Sequence, residues 1–267
     1  METEKYLLQA RNISKYFLMP AGAKNHVLED INLSVKHVEE KGKIISILAP
    51  FGSGKTTLLK IIAGLEKPES GEILFKGKNY KTDLQKIIFI PEKPSSFPWL
   101  NVKQNLTFAS EVNKNNTNGN DINEIISLTG LTGYENHFPH DGSIGFRFRI
   151  SLGRALVVKP DIILIDDSIR MLDIETKEEI YYLMNDISIK LNIIFIFATT
   201  NISSAIKLSD SMFLMKKNPG FIFHKFDLNK EPGKRLKLPA SNFSAVKDEI
   251  EALFKTKNLD EEISFTI

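Results

Sequence analysis

Cysteine is missing from this 267-residue sequence, which excludes disulfides and thiolate metal sites and makes a reducing compartment its simplest setting. Net charge is nearly missing too: +2 at neutral pH is too little to argue for nucleic acid or an acidic membrane as a partner. A membrane-spanning helix needs roughly 20 consecutive apolar residues. The longest apolar segments, such as Leu191–Ala198, fall far short. The leading METEKYLLQARN mixes charge with short apolar stretches and lacks the apolar centre of a signal peptide. Nor does the sequence contain an internal repeat. Any membrane role is therefore expected to come through a partner. What remains is average, 42% apolar and 25% charged, with enough chain for one sizeable core or two unequal subdomains. Composition predicts a cytosolic globular protein.

Patterning along the chain sharpens this. Tyr6–Ile13 and Val27–Val35 read as strands separated by the turn-forming PAGAKN, and Lys43–Leu48 reads as a short buried strand. It leads through a glycine-rich turn into TTLLKIIAGL, where Leu58, Ile61, Ile62 and Leu65 recur at helical spacing. ESGEILFKGK suggests a hairpin, and Ile87–Ile90 another buried strand. Helices are expected over Val102–Val112 and Ile122–Leu128, with Asp121 and Glu124 resembling a capping box at the start of the second. A third helix, IGFRFRISLGRALVV, places Ile144, Phe148, Leu152 and Ala155 on one face. Strands return at Ile162–Ile165 and Ile193–Phe197, around a helix over Glu175–Leu191. Beyond Asp227, KEPGKRLKLPAS reads as a basic linker before a short helix, Ala245–Phe254. The alternation predicts an α/β fold: a parallel or mixed sheet with helices on its faces, interrupted by a helical segment.

The strongest chemical signal is the run Ala49-Pro-Phe-Gly52-Ser53-Gly54-Lys55-Thr56-Thr57. It follows a buried strand and opens a helix, the context that a phosphate-binding P-loop requires. Gly52 and Gly54 let backbone N–H groups turn inward around phosphates, and the helix N-terminus adds a favourable dipole. Lys55 can reach the β- and γ-phosphate oxygens, and the Thr56 hydroxyl suits magnesium. Ala49 stands where such loops usually begin with glycine, a departure of one methyl. The second half of the site is an acid at the end of an apolar strand, and Ile162-Ile-Leu-Ile165-Asp166-Asp167 provides it, with Asp166 placed to hold magnesium through water.

Over nearly its whole length the chain resembles the ABC transporter ATPases. About 110 residues, including a helical segment, separate the two phosphate motifs. FPHDGSIGFRFRISLGRALVVKPDIILIDD is similar to that family's signature region, a LSGGQ-type turn and helix leading into the aspartate strand. Met171-Leu172-Asp173 resembles its D-loop, Ala198-Thr-Thr200-Asn stands at its switch histidine, and Glu92 at its Q-loop glutamine, counted back seven residues from Trp99. Phe17 stands where the family stacks an aromatic ring on adenine; as an apolar residue it fits the core equally well. The segment PEKPSSFPWLNVKQNL and the basic tail look like the nitrate/sulfonate/taurine importer branch.

The resemblance implies a P-loop NTPase with a RecA-like core and mixed sheet, an inserted helical subdomain over about 93–158, and an antiparallel β subdomain. Residues 1–228 would form the nucleotide-binding domain and 229–267 a basic linker and helix. It implies ATP and Mg2+ as ligands, held by Phe17, Gly52, Ser53, Gly54, Lys55, Thr56 and Thr57. Ser143, Gly145 and Asp173 would face nucleotide across a dimer, and Thr56, Asp166 and Glu92 the metal. The implied partners are transmembrane permease subunits and a second ATP-binding subunit, equal or different, on the inner face of the membrane. Phe97, Pro98, Trp99 and Leu100 are candidates for the permease contact or for a buried hinge.

Five positions depart from the family pattern. The signature reads Gly142-Ser143-Ile144-Gly145-Phe146, with a β-branched residue where backbone should approach phosphate, unless Ile144 turns into the core. Asp167 stands in place of the catalytic glutamate and is shorter by about 1.5 Å, one carbon–carbon bond. Thr200 replaces the switch histidine and has neither its reach nor its ring donor. Glu92 replaces glutamine, and Ser168 replaces the proline after the catalytic acid. The binding residues are intact and the hydrolytic ones, Asp167, Glu92 and Thr200, are altered, so ATP binding with slow hydrolysis is expected. Two functions fit: a transport ATPase importing a small solute, or an ATP-binding regulatory subunit with little turnover. A switch GTPase finds no support, because the guanine-reading Asn-Lys-x-Asp motif does not occur.

Overall fold

The computed structural model describes residues 6–20, 22–36, 42–79, 86–93, 95–113, 119–228, 236 and 240–256. Among these residues ten strands form two sheets. β1 (Tyr6–Leu18), β2 (Lys24–Lys36), β4 (Ser70–Phe75) and β5 (Lys78–Asn79) form an antiparallel sheet in the order β2-β1-β4-β5. The other sheet runs β10-β9-β3-β8-β7-β6, from β3 (Ile44–Leu48), β6 (Ile87–Ile90), β7 (Ile162–Asp166), β8 (Ile194–Thr199), β9 (Ser211–Lys216) and β10 (Phe221–Asp227). Its strands are parallel except β10, which pairs antiparallel with β9. The mixed sheet and the antiparallel sheet both match the fold class expected from sequence.

Burial explains the continuous apolar runs. Every residue of IISIL in β3 and of IILID in β7 is buried, as parallel strands covered on both faces require. One face packs on helix α1 (Lys55–Ile62), whose Leu58, Leu59, Ile61 and Ile62 join Leu8, Ile13, Leu28 and Ile31 of the antiparallel sheet in a single core. The opposite face packs on α4 (Ile144–Val157) and α5 (Ile174–Leu191). α2 (Val102–Val112) and α3 (Gly119–Leu128) complete the helical insertion against α4, and Leu106 meets the close approach that Gly153 permits. A third core gathers α6 (Ile202–Leu208) and α7 (Ala240–Thr256), where Ile250 and Phe254 are buried against Leu48, Met212 and Leu214. Among the described residues no helix is long and apolar enough to cross a membrane.

Several local expectations change. β1 continues past the expected Ile13 to Leu18 and so carries Phe17 within a strand. α1 stops at Ile62, and Leu65 lies exposed beyond it because Gly64 takes a left-handed φ of 71°. Asp121 sits inside the first turn of α3 rather than capping it. A full capping box stands instead at α2, where the Asn101 side chain accepts from Gln104 N and Gln104 Oε1 accepts from Asn101 N. α7 is longer than the expected 245–254, since its buried face needs only a few apolar residues spread over polar sequence. The basic linker lies largely outside the described residues.

Candidate nucleotide-binding and hydrolysis site

The site forms where the parallel strands end. Leu48 of β3 pairs with Thr199 of β8, Asp166 of β7 with Ala198 of β8, and Ile90 of β6 with Ile165 of β7. Those registers bring the P-loop, Thr200, the two acids Asp166 and Asp167, and Glu92 to one sheet edge in a row. The strand ends of an open α/β sheet are where such folds bind ligands.

Residues 49–54 leave β3 and close around the start of α1. Ala49 N donates to Thr199 O at 3.2 Å and Leu58 N to Gly54 O at 2.9 Å. Gly52 and Gly54 adopt φ of 77° and 85°, a left-handed region that only glycine enters freely. Gly54 is also tight, since a Cβ there would lie 2.8 Å from Leu28 Cδ2. Gly220, in the β9–β10 turn, lets that turn press on the loop from the other side: a Cβ there would stand 2.1 Å from Ser53 O. The same turn bonds to β2, with Gly220 N donating to Val27 O and Glu29 N to Gly220 O, both at 2.9 Å. The loop is thus braced by both sheets. Ala49 needs no glycine, because its φ is not positive and its methyl is fully buried.

The electrostatics of the site suit a polyanion and a cation. Lys55 is buried and its Nζ donates to Ala49 O at 3.0 Å and Pro50 O at 2.8 Å. Burial pushes its pKa down to about 8 against the attraction of Asp167 and Asp166. Across from it Thr56 donates its hydroxyl to Asp166 Oδ1 at 3.0 Å. Burial raises the Asp166 carboxyl, only partly offset by the Thr56 bond. Asp167 is raised to about 6, again chiefly by burial, with Lys55 and Arg170 pulling it down and Glu92 and Asp166 pushing it up. The buried Ser53 hydroxyl has no partner. A buried lysine at a helix N-terminus, behind two glycines of left-handed φ and faced by a hydroxyl–carboxylate pair, fits a metal-bound triphosphate.

The remaining predicted residues are placed as follows. Thr57 is half-buried on α1. Phe17 is 40% exposed, which removes the core alternative, and the Lys15 ammonium lies 5.1 Å from its ring centre. Thr200 is buried in a cleft of about 90 Å³ that it lines together with Asp167 and Arg170. Ser168 is buried with its hydroxyl unpartnered. Asp173 uses both carboxylate oxygens to cap α5, accepting from Thr176 N at 2.9 Å and Thr176 Oγ1 at 2.7 Å. Ser143 caps α4 by accepting from Phe146 N at 3.2 Å. Gly145 lies against α5, where a Cβ would meet Thr176 Cγ2 at 2.5 Å. Ile144 corrects the expected helical face: Phe148, Leu152 and Ala155 are buried, but Ile144 is 36% exposed beside the N-terminal N–H groups of α4. As the first helical residue it projects before the apolar stripe begins.

The segment 97–100 is partly exposed and partly buried. Trp99 is 69% exposed and Pro98 is exposed, whereas Phe97 is half-buried under the Arg154 guanidinium, 4.2 Å from its ring centre, and edge-on to Phe108. Arg154 also donates to Ser95 O.

Sequence reasoning missed Arg170. Its Nη2 donates to Glu92 Oε1 at 2.9 Å and its Nε stands 3.4 Å from Asp167 Oδ2. The signal available was a cation three residues after a candidate catalytic acid.

Comparison with known proteins gives the family. Residues 28–170 match the ABC transporter family. The aliphatic sulfonates import ATP-binding protein SsuB of Bacillus cereus (strain ZK / E33L) is 34% identical over 226 residues, covering 84% of this chain and 87% of that protein. Among solved structures, cbiO1 from Clostridium perfringens, part of the ABC transporter complex cbiONQ, superposes with a TM-score of 0.71 at 24% identity, over 91% of this chain and all of that one. The dimeric ATP-binding cassette MJ0796, in a post-hydrolysis state bound to ADP and Pi, gives a TM-score of 0.69 at 25% identity, over 84% of this chain and all of that one. With its P-loop braced at the strand ends and its acids beside it, the chain belongs to the ABC transporter family, as an ATP-binding subunit of the ABC ATPase type.

Proposed function

We propose that this subunit drives import of a small anionic solute of the sulfonate type, binding Mg-ATP firmly and hydrolysing it slowly. The observation that carries the reading is the contrast within one site. The Lys55 and Thr56–Asp166 pairs are fully formed, while the acid, switch and signature positions are occupied by Asp167, Thr200 and the exposed Ile144. The solute class rests on the 34% identity to an aliphatic sulfonates import protein and on the PSSFPWL segment.

Lys55 and the N–H groups at 52–57 would grip the β- and γ-phosphates, and Thr56 with Asp166 would hold magnesium. Magnesium supplies charge neutralisation across the phosphates. Phe17 offers its exposed ring to adenine. Asp167 orients the attacking water from a carboxylate withdrawn by about 1.5 Å relative to glutamate, and a misplacement near 1 Å costs about a hundredfold in rate. The helix N-terminus at Ser143–Gly145 faces the nucleotide of a second subunit, so each site is shared between two chains. Trp99 and Pro98 project toward the permease, and Phe97 anchors them to the helical subdomain at about 93–158.

Phosphate release by the purified protein and by Asp167→Glu, with and without permease, beside an ATP titration, tests this. We expect tight binding, slow release that permease raises, and release faster by about tenfold or more in Asp167→Glu. Tight binding with no release in any setting would mean instead a regulatory subunit that acts by nucleotide-driven closure.

A further inference from the structure

Arg170 reaches both Glu92 and Asp167 beside the phosphate site. Ile90 and Ile165 are paired across β6 and β7, so Glu92 and Asp167, each two residues beyond, leave the sheet side by side. Arg170 spans them, with its Nη2 2.9 Å from Glu92 Oε1 and its Nε 3.4 Å from Asp167 Oδ2. Its own backbone is held as well, Arg170 N donating to Asp167 O at 3.0 Å. Because the guanidinium is planar with its N–H groups in a fixed fork, holding one carboxylate fixes the direction in which it holds the other. Asp167 Oδ1 and Glu92 Oε2 have no partner among the described residues, so each acid keeps one oxygen for water.

From this arrangement we infer that Arg170 is a positioning residue for hydrolysis: it clamps Asp167 and Glu92 into one acceptor pair that orients the attacking water. The inference rests on the ATPase reading above and deepens it. Asp167 is short and Thr200 brings no cation, yet Arg170 lines the same cleft as both. The water oxygen bonds to the γ-phosphorus as the bond to the bridging oxygen breaks, its electron pair leaving with ADP. The displaced proton leaves with inorganic phosphate. Since Arg170 and Glu92 are 36% and 47% exposed, their pairing adds little to stability, and removing it disturbs the site rather than the fold.

The test compares the parent with Arg170→Ala and Arg170→Lys in three measurements: affinity for adenylyl-imidodiphosphate with Mg2+, affinity for ADP–vanadate, and phosphate release. A residue that positions the acids for the transition state acts on the second and third and spares the first. For Arg170→Ala we expect ground-state affinity within about twofold of the parent and ADP–vanadate binding weaker by about ten- to a hundredfold. Phosphate release falls in parallel, and Arg170→Lys recovers part of each. Unchanged ADP–vanadate affinity, or faster phosphate release in Arg170→Ala, overturns the inference while leaving nucleotide binding in place. A parent that binds no adenylyl-imidodiphosphate overturns the nucleotide reading and this one together.

Discussion

Asp167 concentrates three constraints in one side chain. Its backbone takes a left-handed φ of 48°, a conformation that short polar residues tolerate better than longer ones. Its carboxyl is mostly buried, and burial lifts its pKa to about 6. It also faces two cations, Lys55 and Arg170. A carboxyl with a raised folded-state pKa binds its proton more tightly in the folded chain than in the unfolded one. Its contribution to stability is therefore present below the ordinary range near 3.8 and is lost as pH rises through about 6. Other acids act in the opposite sense: the Lys15 ammonium beside Glu66 and the Thr176 N–H bonded to Asp173 lower those two carboxyls. The comparison must therefore be differential. In metal- and nucleotide-free protein, the urea midpoint of Asp167→Asn should gain on the parent between about pH 4.5 and 7. A gap that stays constant across that range counts against the buried, proton-favouring environment.

At the scale of elements, the loop before α2 depends on one buried amide. Asn105 is fully buried; its Oδ1 accepts from Phe97 N at 2.8 Å, and its Nδ2 donates to Phe97 O, Leu100 O and Asn101 O at 3.1, 2.8 and 3.0 Å. Truncation takes the partner from Phe97 N and Leu100 O, while Phe97 O and Asn101 O keep their bonds from Leu100 N and Asn105 N; each group left unpartnered costs about 1–3 kcal/mol. Asn105→Ala should then destabilise by about 2–4 kcal/mol in total. Trp99 is the only tryptophan in the chain, so its fluorescence reports on this loop alone. Emission anisotropy at Trp99 should fall in Asn105→Ala; a rigid tryptophan in that variant would show that the amide does not hold the segment. The P-loop is braced in a comparable way, by β2 and the β9–β10 turn, and Gly54 is needed for close approach as well as for φ, whereas Gly52 is needed for φ alone.

At the scale of the whole molecule, the proposed function puts two half-sites on one chain. The P-loop half lies at the strand ends, and the signature half lies at the N-terminus of α4, where Ser143 caps and Ile144 projects to solvent. In a symmetric pair each half-site meets the other twice, so an obstruction at Ile144 counts twice. Ile144→Gly should tighten Mg-ATP-driven association by about tenfold or more, about 1.4 kcal/mol or more. Sedimentation of parent and variant with and without Mg-ATP measures it. Equal association would mean that the isoleucine side chain lies clear of the partner's nucleotide.

Much of this was legible without coordinates because it is local. Residues 44–62 run strand, turn and helix without a break, so apolar runs, glycines, lysine and threonine in order suffice to announce the P-loop. The alternating strands and helices of the core were equally readable from buried runs. Phe17, Ile144 and residues 97–100 were legible as positions but not as environments, since exposure depends on what else packs nearby. Arg170 was invisible for a deeper reason. Its two partners are 78 residues and 3 residues away in sequence, and only the parallel pairing of β6 with β7 sets them at one height. Sequence alone determined which groups can hold phosphate and metal, because a backbone turn and its side chains carry that chemistry within a few residues. Which charges meet around them was decided by the sheet register, because Coulombic and hydrogen-bonding partners are chosen by distance in space and not by distance along the chain.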